Sequence, residues 1–530
     1  MDTGKTIRGR RGVVSAGDRH TARAGAHALA LGGNAVDAAV AAGMAAFVCE
    51  VALCAPLGGG VMLVREPSGE EHAIDFFGRT PGLGAPTDHA LDFAEAVIDF
   101  GETTQSFRVG RGAAAIGLAL PGLLEVHQRW GTLPLTEVAA PAVALGREGY
   151  ELNDRMAYII ELIAPIGTWT PASKALFFKD DRLPRGGDRL FNTQLSDVLA
   201  SLAHTPAEVA DLYAQLAREF GPEAGGLITP RDIEVMAVEF DRPISVALEG
   251  WRLSTLPGPS TGGALIALGL RLLEGVGDTT SFLSREHLSE TVHVQRRLLE
   301  TRDDRFDEQV RDRRFIDALL SERSVSAIHS GTRPPAALFP DSHFGSTTQI
   351  SALDDDGGVV AMTLTNGEGC GYVLDGTGIE VNNLLGEADI NPRGFHTASP
   401  GLRMSTMMAP SIAYGPNGDL LALGSGGSKR LRNAIMMTLS HVIEHGASLE
   451  AAVMAPRCHL DRVASGFQLN FEAIEMPEAV VEHLAGLHPS PTVFRRRNMF
   501  FGGVHCVARL GGVLTGFGDP RRGGSVAQWP

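Results

Sequence analysis

Two runs, Thr347-Thr348-Gln349-Ile350-Ser351-Ala352-Leu353 and Val359-Val360-Ala361-Met362-Thr363-Leu364-Thr365, flank the acidic break Asp354-Asp355-Asp356-Gly357-Gly358. β-Branched and apolar residues dominate both runs, and aspartate with glycine between them is turn material, so the segment predicts a β-hairpin. A turn centred on Asp356 sets Thr347 opposite Thr365. Directly opposed residues have Cβ atoms about 4.5–5.5 Å apart, close enough for one hydroxyl to bond the other. An ordinary sheet also accommodates such a pair, because β-branched residues are common in strands.

The same pair can do chemistry. A threonine hydroxyl is a weak nucleophile until a base takes its proton, and a free α-amine on the same residue is one such base. Its reference pKa of about 7.7–8.0 suits proton transfer near neutrality. Thr347 carries a free amine only if the chain is cut between Ser346 and Thr347. Its own hydroxyl can make that cut by attacking the Ser346 carbonyl, giving an ester that water opens. Gly331 to Ser346, with three prolines and little periodicity, reads as the strained or mobile linker that self-cleavage needs.

The rest of the chain mixes helix and strand signals. Residues 12–17 predict a strand, and Asp18 caps a helix that runs to about Leu31 and stops at Gly32-Gly33. Asn34 caps a second, alanine-rich helix over 35–48, with Asp37 near its positive start. After Gly58-Gly59-Gly60, residues 61–65 and 71–76 read as a strand pair, and 244–256 as strand-like. Residues 112–165, 190–219 and 284–324 read as mainly helical, the last with interleaved charges that suit a salt-bridged surface. Gly424-Ser425-Gly426-Gly427-Ser428 leads into a helix striped by Leu431, Ile435, Leu439 and Val442 and ended by Gly446; strands follow at 467–474 and 500–515. No Walker lysine follows the glycine run at 58–60, which argues against a phosphate cradle. His441-Val442-Ile443-Glu444-His445 spells the H-x-x-E-H pattern of one zinc peptidase class, but Gly446 ends the helix at once, so no metal is expected.

Net charge is −16, which argues against nucleic acid or an anionic membrane as partner, since both need a basic surface. Hydrophobic residues at 44% and charged residues at 20% match an ordinary soluble globular chain without an apolar run of membrane-spanning length. Cys49, Cys54, Cys370, Cys458 and Cys506 form no CxxC pair, so neither a disulfide framework nor a zinc ribbon is expected. Free thiols, and an N-terminus with charge but no apolar run behind it, point to a cytoplasmic protein.

An ordered series of short motifs runs through the chain: Gly32-Gly33-Asn34-Ala35-Val36-Asp37-Ala38-Ala39, Gly58-Gly59-Gly60, Pro121-Gly122, Gly131-Thr132-Leu133-Pro134 and Pro257-Gly258-Pro259-Ser260-Thr261-Gly262-Gly263. Beyond Thr347 it continues through Asn382-Asn383, Pro410-Ser411, Gly424 to Ser428 and Ala455-Pro456-Arg457. On this series the chain resembles, from end to end, the γ-glutamyltransferase family of N-terminal-nucleophile hydrolases. The resemblance implies an α/β (α+β) fold, a four-layer αββα sandwich. It implies one intertwined unit cut into segments 1–346 and 347–530 that stay together as a heterodimer. It implies no cofactor or metal, a small-molecule acyl donor, and water or an amine as acceptor.

The same resemblance assigns residues. Thr347 is the nucleophile, Thr365 orients it, and backbone N–H groups of Gly426 and Gly427 form the oxyanion hole. Asn366 matches an asparagine after the second threonine, although this chain is two residues shorter just there. Glu387, with Asp389 as competitor, stands where relatives grip a substrate α-amine, and Thr406 where a serine helps bind the α-carboxylate. Departures cluster in the pocket. Phe77 replaces the arginine that clamps that carboxylate, with Arg79 two residues on as a possible substitute; Leu384 and Met407 replace polar contacts. An arginine fork is hard to replace in carboxylate recognition. The expected activity is therefore γ-glutamyl or related acyl transfer through an ester on Thr347. Two alternatives remain open: a homologue with changed acyl specificity, such as an acylase or a C–C bond (oxalyl) cleaving enzyme of an antibiotic pathway, and an unprocessed, non-catalytic binding protein.

Overall fold

The computed structural model describes residues 11–99, 104–303, 305–331, 346–463 and 466–529. The charged N-terminus up to residue 10 and the linker residues 332–345 lie outside the described residues. Asp18 accepts the His20 amide and opens the helix Arg19–Ala30. Asn34 and Asp37 make a reciprocal capping box at the head of Ala35–Cys49, with the Asn34 N–H donating to Asp37 at 2.9 Å. Small side chains along that helix allow close packing on both sides, and every one of its residues is buried between Arg19–Ala30 and a sheet.

Seven antiparallel strands make that sheet, in the order Glu239–Asp241, Glu71–Phe76, Gly59–Arg65, Val359–Thr365, Thr348–Asp354, Gly12–Ala16 and Ser525–Trp529. A second sheet of six runs Ile244–Leu248, Trp251–Thr255, Ser411–Tyr414, Leu420–Gly426, Gly503–Leu510 and Val513–Gly518. The strand pair 348–354 and 359–365 packs against the second sheet, which is covered in turn by the helices Thr261–Leu273 and Arg430–Ile443. Helix, sheet, sheet and helix give the four-layer αββα sandwich.

Alternation along the central hairpin sorts its side chains between the layers. Ile350, Ala352, Val360, Met362 and Leu364 join the core under the alanine-rich helix, while Leu353, Val359 and Ala361 join the core shared with Leu421 and Leu423 of the second sheet. Both faces are covered, so the two strands are buried throughout. The hairpin register pairs Thr348 with Leu364 and Leu353 with Val359, the register that a turn centred on Asp356 requires.

Chain order and sheet order are interleaved. Gly12–Ala16 lies between Thr348–Asp354 and Ser525–Trp529, and Val359–Thr365 pairs with Gly59–Arg65. Residues from both sides of the 346/347 bond therefore share one hydrogen-bonded sheet.

Some elements are more broken than their periodicity suggests. The region 284–324 is one long helix, Arg285–Thr301, followed by the short helices Phe306–Gln309, Arg313–Leu319 and the start of Glu322–His329. The 500–515 strand is two, turning at Gly511-Gly512, where both glycines have positive φ. The helix carrying His441 ends at Ile443, so His445 lies beyond it; Glu444 accepts the Gly275 amide, and His441 Nδ1 faces the Ala452 carbonyl. Among the described residues no helix is long and apolar enough to cross a membrane.

Asp37 ties the first helical layer together. Its carboxylate accepts the Asn34, Thr132 and Leu133 amides and the Thr132 hydroxyl, and faces His127 at 3.4 Å. Burial pushes its pKa up, but the hydrogen bonds from His127, Thr132 and the backbone outweigh it and hold the carboxyl below its usual value. Its contribution is thus complete above about pH 4 and is lost as pH falls through the lowered pKa. Asp37→Ala leaves several donors without an acceptor and is expected to cost about 2–4 kcal/mol at neutral pH. Denaturant unfolding of the two proteins side by side measures it, and equal midpoints at pH 7 would exclude this role.

Candidate active site

The hairpin register places Thr347 and Thr365 side by side at one end of the first sheet. Thr347 Oγ donates to Thr365 Oγ across 3.4 Å, Thr365 Oγ donates to the Ser346 carbonyl at 2.5 Å, and the Gly367 amide donates to Thr365 Oγ at 3.1 Å. One hydroxyl thus connects the candidate nucleophile, the carbonyl preceding it and the turn after the hairpin. Ser346, Thr347 and Thr365 are each only 6% exposed, so these contacts are made away from bulk water.

The strand Leu420–Gly426 of the second sheet ends against this point. A Cβ on Gly426 would sit 2.1 Å from the Thr347 carbonyl oxygen, which no side chain tolerates. Gly427 has φ of +119°, a conformation open to glycine, and lies close over Gly502. The Gly-Gly pair is therefore required sterically where the two sheets meet, at the head of the turn that leads into Arg430–Ile443.

A pocket open to solvent begins at the two threonines. Thr347, Thr365, Phe77, Glu387 and Thr406 all line it, together with Asp389, Met407, Met408, Ile390 and Leu431. Thr406 Oγ accepts the Met408 amide, and the Thr406 carbonyl accepts from Thr261, so the wall at 406–408 is fixed to the start of Thr261–Leu273. Glu387 is 8% exposed and its Oε1 makes no hydrogen bond among the described residues. Burial, and the charges of Glu368 and Asp389, push its pKa well above the usual carboxylate value. Cationic groups at the pocket are matched by acids: Lys429 pairs with Asp389 at 3.3 Å and Arg302 with Asp307 at 3.1 Å.

Two residues expected at the pocket lie elsewhere. Arg79 pairs with Glu239 and donates to the Gly401 carbonyl, because the short strand Gly78–Arg79 carries its side chain toward the edge strand Glu239–Asp241. Asn366 is buried behind the hairpin end, donating its amide N–H to the Leu53 carbonyl and its side chain to the Glu380 carbonyl. Asn382 and Asn383 support the same turn: Asn382 bonds Leu57 and both backbone groups of Ala115, and Asn383 Oδ1 accepts the Glu368 amide at 2.8 Å.

Sequence reasoning missed Glu368. Its two carboxylate oxygens accept the Ser346 N–H at 2.8 Å and the Ser346 hydroxyl at 2.6 Å. Burial raises its pKa to about 7, although the Ser346 hydrogen bonds and Arg522 oppose the rise. The signal was present: the hairpin register that opposes Thr347 to Thr365 also brings the Gly367-Glu368-Gly369 turn beside Ser346. Arg522, also missed, is buried against Gly426, Gly427 and Gly503, and burial with Arg430 nearby lowers its pKa to about 10.

The Gamma-glutamyltranspeptidase family profile matches residues 21–529. This chain belongs to that family. It is 31% identical over 527 residues to the acylase ACY 1 proenzyme of Pseudomonas sp. strain SE83, covering 97% of this chain and 92% of that protein. It is 27% identical over 488 residues to the glutathione hydrolase proenzyme of Bacillus subtilis strain 168, covering 86% and 82%. The crystal structure of cephalosporin acylase from Bacillus halodurans superposes with a TM-score of 0.79 at 22% identity, covering 100% of this chain and 98% of that one. The chain is accordingly an enzyme of the N-terminal-nucleophile hydrolase and transferase kind, with the fold these relatives share.

Thr365→Val keeps the shape of the side chain and removes its hydroxyl. It leaves the Ser346 carbonyl and the Gly367 amide buried without these partners, at an expected cost of about 2–4 kcal/mol. Denaturant unfolding of this variant in the uncut Thr347→Ala background measures the loss apart from any cleavage, and a change under about 0.5 kcal/mol would contradict the arrangement.

Proposed function

We propose that this member of the γ-glutamyltranspeptidase family is a self-processed N-terminal-threonine enzyme with acylase-type specificity. In maturation Thr347 Oγ attacks the Ser346 carbonyl carbon. Its proton passes to the Thr347 nitrogen as the C–N bond breaks, and water then opens the ester to leave a Ser346 carboxylate, the Thr347 hydroxyl and a free amine. The observation that carries this reading is the Thr365 hydroxyl bonded to the Ser346 carbonyl while touching Thr347 Oγ, since it joins attacker and target at one point. A polarised carbonyl held beside a nucleophile is what a low-barrier attack needs.

In turnover the Thr347 amine takes the hydroxyl proton as Oγ attacks the acyl carbonyl of the donor. The leaving amine departs with that proton, and water or a second amine collects the acyl group from the ester. Backbone N–H groups of Gly426 and Gly427 are suited to the developing oxyanion, because glycine there allows close approach to Thr347. Removing one such donor typically costs about 3–4 kcal/mol of barrier.

Specificity follows from the walls. Phe77, Ile390, Met407, Met408 and Leu431 offer apolar contact, and Arg79 is engaged by Glu239 and Gly401. This supports an acyl group with an apolar stem over a zwitterionic glutamyl head, and the named likeness to an acylase proenzyme agrees. One observation favours the γ-glutamyl reading instead: the unpartnered Glu387 Oε1 in the pocket is an acceptor for an α-ammonium group. The five buried, unpaired cysteines support a reducing, cytoplasmic setting.

Intact mass and terminal sequencing of purified protein are expected to give a fragment beginning Thr347-Thr348-Gln349, absent from Thr347→Ala, which stays one inactive chain. A cleaved, active Thr347→Ala protein would end the mechanism. For specificity, pentanoyl and hexanoyl p-nitroanilides are expected to give kcat/KM at least about tenfold above γ-glutamyl p-nitroanilide, about 1.4 kcal/mol, within reach of one or two methylene-sized contacts. The reverse order would assign the pocket to γ-glutamyl donors.

A further inference from the structure

Ser346 is held at three points. Its carbonyl accepts from Thr365, and its N–H and hydroxyl both donate to the one carboxylate of Glu368. Glu368 is itself fixed, since its amide donates to Asn383 Oδ1 and Asn383 Nδ2 donates to the Arg108 carbonyl. Residue 346 is the last before the proposed cut, so whatever holds it decides how the 346/347 peptide bond is presented to Thr347 Oγ. Without the Glu368 grip, the Thr365 hydrogen bond is what remains at Ser346 among the described residues. A carboxylate is an unusual choice for so buried a position, 4% exposed, and its charged neighbours are Arg522, Glu380 and Glu387. Burying it disfavours the charge, so a merely structural acceptor would be less costly as an amide.

We propose that Glu368 is a positioning residue for self-cleavage: through the Ser346 N–H and hydroxyl it aligns the 346/347 bond for attack, and its grip ends when Ser346 leaves. This rests on the self-processing reading above. Loss of the Ser346 bonds frees both carboxylate oxygens in the mature site. Arg522 is a cationic candidate to receive them, because its charge acts on Glu368 and its Nε and Nη1 make no hydrogen bond among the described residues.

The test is the rate at which freshly purified precursor yields the fragment beginning Thr347, in wild type, Thr347→Ala, Glu368→Gln, Ser346→Ala, Ser346→Thr and the double variant Ser346→Ala/Glu368→Gln. Misplacing reacting atoms by about 1 Å costs about 10²-fold, so Glu368→Gln is expected to slow cleavage by tenfold or more. Ser346→Ala is expected to slow it several-fold, and Ser346→Thr, which keeps the hydroxyl, to restore it. The double variant is expected to be no slower than Glu368→Gln, since both changes break the same contact. Multiplying effects, or cleavage of Glu368→Gln and Ser346→Ala at the wild-type rate, would overturn the proposal while leaving self-cleavage intact. A wild-type chain that is never cut would instead sink the reading on which it rests. If Glu368→Gln does not fold, the Ser346→Ala and Ser346→Thr pair decides alone, because neither alters the buried acid.

Discussion

The Thr365 hydroxyl is the one contact at which backbone geometry and reactivity meet. It donates to the Ser346 carbonyl and accepts from the Gly367 amide, so it fixes the end of one central strand to the start of its partner. Its position is not locally free. Thr365 closes a strand whose other side pairs with Gly59, and Thr348 opens a strand whose other side pairs with Gly12–Ala16. A one-residue slip would turn the hairpin's core side chains to opposite layers and separate the two hydroxyls together. Packing of Ile350, Ala352, Val360 and Met362 under the alanine-rich helix therefore sets the geometry at the site as firmly as any contact within it.

The interleaved sheet explains how the chain would hold its shape if cut between residues 346 and 347. Gly12–Ala16 is hydrogen-bonded on both sides to strands from beyond residue 347, and Gly59–Arg65 is bonded to one. Neither segment has a complete first sheet without the other. A second anchor lies among buried charges near the C-terminus: Arg457 pairs with Asp519 at 2.7 Å, and Arg521 pairs with both Glu472 and Asp519. Such pairs add little net stability against apolar replacements, but breaking one strands a buried charge. They hold the 519–522 turn, and with it Arg522, against Gly426 and Gly427.

Much of this was legible in the sequence because it depended on local chemistry. The turn at Asp354 to Gly358 and the β-branched runs beside it determined the register, and the register alone set Thr347 against Thr365. The Asn34 and Asp37 caps and the stop at Gly446 were equally local. What escaped was non-local. Arg79 was two positions from the expected arginine, yet its direction is governed by Glu239, about 160 residues away in sequence, in an edge strand that no pattern ties to it. Asn366 was expected at the pocket, but its backbone N–H and its side-chain N–H are bound to the Leu53 and Glu380 carbonyls behind the hairpin. The place of Glu368 beside Ser346 followed from the register, but its burial did not, since that depends on the segment around Asn383.

The proposed chemistry and the proposed selectivity sit on different parts of this fold. Thr365 and Gly426 end strands of the two central sheets and Thr347 directly precedes one, where shifts are resisted by packing on both faces. The pocket walls come from segments that only lean on those sheets: Phe77 after an edge-side strand, Glu387 to Ile390 after a short helical turn, Ser405 to Met408 before the second sheet, and Ser428 to Leu431 at a helix start. Side chains in such connections can change without moving the strands beneath them. Phe77 and Met407 stand on such connections, outside the strands that carry or adjoin the two threonines. Relatives named as an acylase proenzyme and as a glutathione hydrolase proenzyme are both similar to this one chain, as such a division allows.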